Sequence, residues 1–272
     1  MPLKFTKCFF VSALASLAAC SSGGNDDEGI PEVVAATKVV GIGANPLGLE
    51  ASFDPDTQVI TVNGRAYDDL GIETNGRLTV RRAFDIPGES RGPFTDIAMH
   101  GDTSSGSGTV FLVGSSLEEF VSDDDFEPIF VEAIREGETS VPTSGSVEYT
   151  GSYVGSRFAE REQDNVITFT GTRIFGDVSL TADFGDTSTI SGVIRNRTGG
   201  DEDEWQDMTL ELTAIEAGGF AGTVSGGGRI GDSTSDGAYA GLLTGADGSE
   251  IIGGLSILHE RGDIEAGIFV AE

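Results

Sequence analysis

The feature that most constrains this chain is its rhythm, a series of short apolar–polar alternations cut off by glycine or by a turn signal. Residues 177–184 place Val178, Leu180, Ala182 and Phe184 on one face. Residues 208–214 place Met208, Leu210, Leu212 and Ala214 on one face and Thr209, Glu211 and Thr213 on the other. A period of two belongs to a strand with one buried and one solvated face, not to a helix of period 3.6. The 40 glycines follow no collagen-like period and sit between the runs, where many short strands need tight turns. Only residues 115–121 read as a helical turn or two, with Ser116 as N-cap. The expected fold class is all-β.

The runs fall into two groups. Residues 58–62, 77–81, 97–100, 109–113 and 128–135 read as strands, with Asn63-Gly64 and Asn75-Gly76 as turns and long loops at 85–94 and 101–108. Residues 141–145 (VPTSG) read as a linker. About eight further strands follow at short spacing, at 147–154, 177–184, 189–195, 208–214, 220–224, 237–243, 250–257 and 264–270. Eight alternating antiparallel strands can close into a barrel filled by side chains, which removes the sheet edges that invite aggregation. The expected division is a handle-like β-rich domain at 38–140 and an eight-stranded antiparallel barrel at 141–272.

The N-terminus reads as a leader. Lys4 and Lys7 precede an apolar run at 8–16 that is shorter than the about 20 residues needed to cross a bilayer. It fits a signal-peptide core instead. The following Leu17-Ala18-Ala19-Cys20 resembles the bacterial lipobox. That resemblance implies cleavage after residue 19 and acyl (palmitate-type) chains on Cys20. Residues 21–29 (SSGGNDDEG) are too polar to bury a core and read as a flexible acidic tether, here bounded as 20–37. Two or more acyl chains hold a protein stably at a membrane. Ser21 after the Cys is similar to the sequence that sends proteobacterial lipoproteins to the outer membrane.

Composition narrows the function classes. Losing Lys4 and Lys7 with the leader leaves 14 basic residues against 45 acidic ones, a net of −31. Such a surface repels nucleic acid and anionic membrane faces, keeps the body soluble on its tether, and attracts basic partners. The mature chain keeps only Cys20, so the body contains no disulfide. No catalytic residue emerges. His100 and His259 lack motif partners and read as surface or turn residues, and no G-x-S-x-G elbow is present. The runs Asp123-Asp124-Asp125 with Glu127, and Asp201-Glu202-Asp203-Glu204 beside Trp205, lack calcium-loop spacing and read as solvated loops. No metal site and no cofactor are expected. Haem, through a Tyr or His ligand, stays open as a ligand.

A set of ordered motifs then points to a family. Tyr149-Thr150-Gly151-Ser152-Tyr153-Val154-Gly155 opens the second group. The hairpin around Leu180–Gly185 and Ile190-Ser191-Gly192 follows, then Gly219-Phe220-Ala221-Gly222. Gly237-Ala238-Tyr239-Ala240-Gly241, Glu250-Ile251-Ile252-Gly253-Gly254 and Ala266-Gly267-Ile268-Phe269 complete the set. In this order, over residues 139–272, they resemble the barrel domain of transferrin-binding protein B, the factor H-binding lipoproteins and related haem-acquisition lipoproteins. The resemblance implies a barrel behind a smaller handle and an outer-membrane lipoprotein, surface-exposed or facing the periplasm. It also implies a non-enzymatic binding module for an iron carrier or haem, working beside a TonB-dependent receptor. The alternative is a structural or adhesive envelope lipoprotein without a ligand. The motif glycines Gly151, Gly155, Gly192, Gly222, Gly241 and Gly254 are expected to relieve crowding, and the motif aromatics to pack the interior.

Overall fold

A computed structural model describes residues 32–34, 37–42, 50–68, 71–84, 95–114, 129–163, 166–200, 205–229, 235–259 and 263–272. Among them every regular element is a strand. The N-terminal strands are β1 (Glu32–Val34), β2 (Thr37–Ile42), β3 (Ala51–Asp54), β4 (Val59–Val62), β5 (Arg65–Tyr67) and β6 (Ile72–Asn75). They continue with β7 (Leu78–Phe84), β8 (Thr95–Asp102), β9 (Gly108–Gly114), β10 (Ile129–Glu136) and β11 (Thr139–Val141). The second group is β12 (Gly145–Gln163), β13 (Val166–Phe184), β14 (Thr189–Thr198), β15 (Met208–Glu216), β16 (Gly219–Gly226), β17 (Asp236–Thr244), β18 (Glu250–Leu258) and β19 (Ile264–Ala271).

Strands β12 to β19 form a closed antiparallel barrel, each strand pairing with its sequence neighbour and β19 returning to β12. The eight expected barrel strands all fall on these elements. The sequence period explains the inside and outside. Val178, Leu180 and Ala182 are buried on β13, while Asp177, Ser179 and Asp183 between them are exposed. An apolar lumen with a polar outer face is the reverse of a membrane-spanning barrel. No helix of the described residues is long and apolar enough to cross a membrane, a statement that does not extend to strands.

The first group builds two more layers. Six strands lie in the order β2-β10-β9-β8-β7-β6, and β3-β4-β5 form a separate three-stranded sheet. One face of the six-stranded sheet packs on the outside of the barrel. Leu78, Val80, Met99, Leu112 and Val131 share one buried cluster with Val154, Leu242, Ile252, Ile268 and Val270. Its other face meets the small sheet through Ala98, Phe111 and Val113 against Ile60, Val62 and Tyr67. This explains why β17, β18 and β19 are buried on both faces and read as nearly continuous apolar, glycine-rich runs.

Features of both groups lie beyond the sequence reading. Strands β3, β5 and β6 are short, and residues 101–108 form a compact turn at 103–107 rather than a long loop. Strands β12 and β13 run to 19 residues each and pair along their whole length. Residues 159–163 of β12 extend past its pairing with β19, which ends at Phe158. The helical turn at 115–121 lies outside the described residues.

Candidate functional site

The barrel interior is filled by its own side chains. Tyr149, Tyr153, Tyr239 and Phe269 are 0% exposed, and Phe184 and Phe220 join the same cluster. The motif glycines make room for them. A Cβ on Gly155 or Gly267 would collide with the Tyr153 ring, and one on Gly241 with Phe220. Each phenol is spoken for. Tyr149 donates to Gly248 O at 2.7 Å, Tyr153 to Glu265 Oε1 at 2.8 Å and Tyr239 to Glu211 O at 2.5 Å. Burial, reinforced by Asp247, pushes Tyr149 up to about 12, and burial raises Tyr153 and Tyr239 as well. The remaining tyrosine, Tyr67, is buried beneath the small sheet.

The histidines correct the sequence reading. Both are 2% exposed rather than on the surface. His100 stacks on Phe53 with ring centroids 3.9 Å apart, lies against Phe111, and sets Nε2 at 3.1 Å from Asp102 Oδ1. His259 sets Nδ1 at 2.8 Å from Ser235 Oγ and Nε2 at 3.4 Å from Glu265 Oε2. The latter separation is long for a hydrogen bond but close for charge. Asp102 lies two residues from His100 on β8, but Phe53, Phe111, Ser235 and Glu265 sit on other segments, so no local signal reveals the burial of either histidine.

His259 belongs to an ionic plug at one mouth of the barrel. Arg197 Nη2 donates to both oxygens of Glu265 at 2.5 and 2.6 Å, with both side chains 0% exposed. Arg197 Nη1 donates to Gln206 O and Gly227 O, each at 2.7 Å. Arg157 pairs with Asp263 at 2.9 Å. The guanidiniums of Arg157, Arg197 and Arg229 surround the Trp205 ring at 5.2, 5.7 and 5.6 Å from its centroid. Burial alone would raise Glu265. The Arg197 charge and His259 override it and bring the carboxyl to about 2. Ser235, His259 and Glu265 line up as a nucleophile, base and acid would. Both Glu265 oxygens are committed to Arg197, and Ser235 is 2% exposed, so the line closes the mouth and offers no reacting group to solvent.

The two ends of the molecule differ. At one end the strands are joined by residues 76–77, 103–107, 185–188, 217–218 and 245–249. The strand ends flanking 85–94, 115–128, 199–207, 227–235 and 259–263, and the two-residue β12–β13 connection at 164–165, lie at the opposite end, around the ionic plug. The register fixes this. Gly101 and Val270 meet at the short-turn end, while Gly114 and Phe158 meet at the other. Long connections on a rigid barrel are where binding residues concentrate, so the plugged mouth is the candidate functional end. Cys20 and both acidic runs lie outside the described residues, and no group of three metal-binding side chains occurs among those described.

No protein-family model matches the chain, and no curated protein matches it. Solved structures do. One is intact Ap-TbpB with its N and C lobes (14% identity, 92% of this chain and 47% of that one, TM-score 0.48). Another is the isotype 1 transferrin-binding protein B of serogroup B Neisseria meningitidis (12% identity, 87% and 43%, TM-score 0.44). A third is a surface lipoprotein (13% identity, 82% and 96%, TM-score 0.38). The chain spans about half the length of the first two.

Proposed function

We propose that this chain is a non-enzymatic lipoprotein of the outer membrane, held by acyl chains on Cys20, that captures a protein partner with its outer surface. The observation that carries the capture mode is the filled barrel. Its lumen is occupied by Tyr149, Tyr153, Tyr239 and Phe269, and all four tyrosines and both histidines of the chain are buried. An axial ligand for haem iron must reach the metal, and none of these side chains reaches solvent. The ordered barrel motifs, now seated on β12, β13, β14, β16, β17, β18 and β19, support the relation to host-protein-binding lipoproteins. An iron-carrier protein with a TonB-dependent receptor alongside is the specific version of this reading.

The test is direct. The acylated protein on beads is offered haem and iron-carrier proteins such as transferrins. A retained carrier protein with no haem absorbance band supports the reading. Stoichiometric haem uptake with a ligated-iron spectrum overturns it in favour of small-molecule capture. Replacement of Cys20 by Ser removes the acyl mass and releases the protein from the membrane fraction.

A further inference from the structure

We infer that the barrel end crossed by β11 faces the lipid surface and that the plugged mouth, with its long connections, is held away from it. This rests on the acylation of Cys20 proposed above. The first observation is where the chain enters the fold. Strand β1 pairs antiparallel with β11, with Glu32 opposite Val141. The chain preceding Glu32 therefore continues in the direction of β11, toward Gly145, where β12 starts opposite Phe184. Strand β11 itself lies on the short-turn end. Ser140 N donates to Ala246 O at 3.0 Å, and Thr139 Oγ1 donates to Gly245 O. Val141 packs into the barrel core from that side.

The second observation is the inequality of the two ends. At the entry end the barrel strands join through 185–188, 217–218 and 245–249, none longer than five residues, while at the other end 199–207 and 227–235 run to nine residues each, beside the five-residue 259–263 and the two-residue 164–165. Chain length completes the argument. Eleven residues lie between Cys20 and Glu32. A flexible chain of that length has an r.m.s. span of about 18 Å. Strand β14 runs from the entry end to the far mouth in ten residues, about 33 Å along the strand. The tether is thus short relative to the body. Its attachment point stays near the membrane, and the far mouth is carried outward. The fold in this way sorts its surface into a tethered end of tight turns and a presented end of long connections.

The body contains no cysteine beyond Cys20, which acylation blocks, so a single introduced thiol can be labelled uniquely. Asp186 and Thr198 are exposed at opposite ends of β14. Asp186→Cys and Thr198→Cys chains, acylated and carrying a donor fluorophore, are placed on phosphatidylcholine–phosphatidylglycerol vesicles with acceptor-labelled headgroups. The pair Thr187→Cys and Asp207→Cys repeats the comparison at independent exposed positions. Energy transfer at least twofold higher from the position-186 and position-187 labels supports the orientation. Equal or reversed transfer in acylated protein overturns the orientation alone. A chain with no acyl mass at Cys20 overturns the anchor and the orientation together.

Discussion

At the scale of the residue, the decisive group is Glu265, a carboxylate with no exposure that survives because Arg197 saturates both its oxygens. Breaking a buried pair costs far more than the pair contributes, because the remaining charge stays desolvated. Glu265→Gln is expected to cost about 3–5 kcal/mol in urea unfolding at pH 7; a variant as stable as the parent would show the plug to be energetically idle. The sign with pH follows from the carboxyl being held at about 2 against an ordinary 4.5. Its contribution is present above pH 4.5 and disappears as pH falls through 2. Urea midpoints at pH 5, 3.5 and 2.5 should therefore fall less steeply in Glu265→Gln. The phenols act at the other limit. With Tyr149 pushed up to about 12 and Tyr153 and Tyr239 also raised, their contribution is complete below pH 10 and is lost as pH rises above it, because the unfolded chain's phenols ionise there while the folded ones stay neutral. Alkaline unfolding followed by the phenolate absorbance should start above pH 10, and free titration of Tyr149, Tyr153 and Tyr239 near 10 in folded protein would contradict their buried placement.

At the scale of the element, the turn between β8 and β9 is clamped to the barrel by two carboxylates, Glu272, whose Oε1 accepts from Ser104 N at 2.9 Å, and Glu250. Glu250 Oε1 accepts from Ser104 Oγ at 2.6 Å and from Ser105 N at 2.8 Å, and Glu250 Oε2 accepts from the Ser105 hydroxyl and from Ser107 Oγ at 3.3 Å. Burial works against the charged form, but the Ser104 and Ser105 bonds outweigh it and lower the pKa. Glu250→Ala should cost about 2 kcal/mol and speed amide exchange at residues 104–107. Unchanged exchange there would mean that the bonds from Ser104 N to Glu272 Oε1 and from Gly245 N to Ser107 Oγ hold the turn without Glu250. The sequence exposed this level unevenly. Barrel strands were legible where one face alternates cleanly, as on β13, whereas on β15 the alternation stops at Leu210 and a register shift leaves Leu212 and Ala214 exposed rather than on the buried face the sequence suggested. Strands β3, β5 and β6 were not, because three or four residues carry too little periodicity. Trp205 stands beside an acidic run yet is 6% exposed, since its neighbours in space are arginines from β12, β14 and residue 229. A cluster assembled from four separate segments has no signature in any one of them.

At the scale of the whole molecule, the handle sheet and the barrel share one core rather than meeting across a wet interface. Val131 of β10 approaches Gly254 of β18 so closely that a Cβ at 254 would strike it, and Gly101 bears the same relation to Val270. A barrel stripped of the sheet would expose Val154, Leu242, Ile252, Ile268 and Val270 together, an apolar patch that monomeric proteins rarely present. The two parts should therefore unfold as one unit, even though their strands are contiguous in sequence and could have been independent. Trp205 is the single tryptophan and reports on the barrel mouth. Amide exchange in β8 and β9 reports on the sheet. Gly254→Val forces Val131 aside and should cost about 1–3 kcal/mol, moving the urea midpoints of both probes by the same amount. If the tryptophan transition moves and the β8–β9 transition stays, the shared core does not couple the layers. The acidic balance adds a common dependence on salt. With 14 basic residues against 45 acidic ones in the chain after the leader, the folded state repels itself, and salt within reach of a Debye length of about 10 Å at 0.1 M screens that repulsion. Both midpoints should accordingly rise together with added sodium chloride, in parent and variant alike, because one cooperative body carries the whole charge.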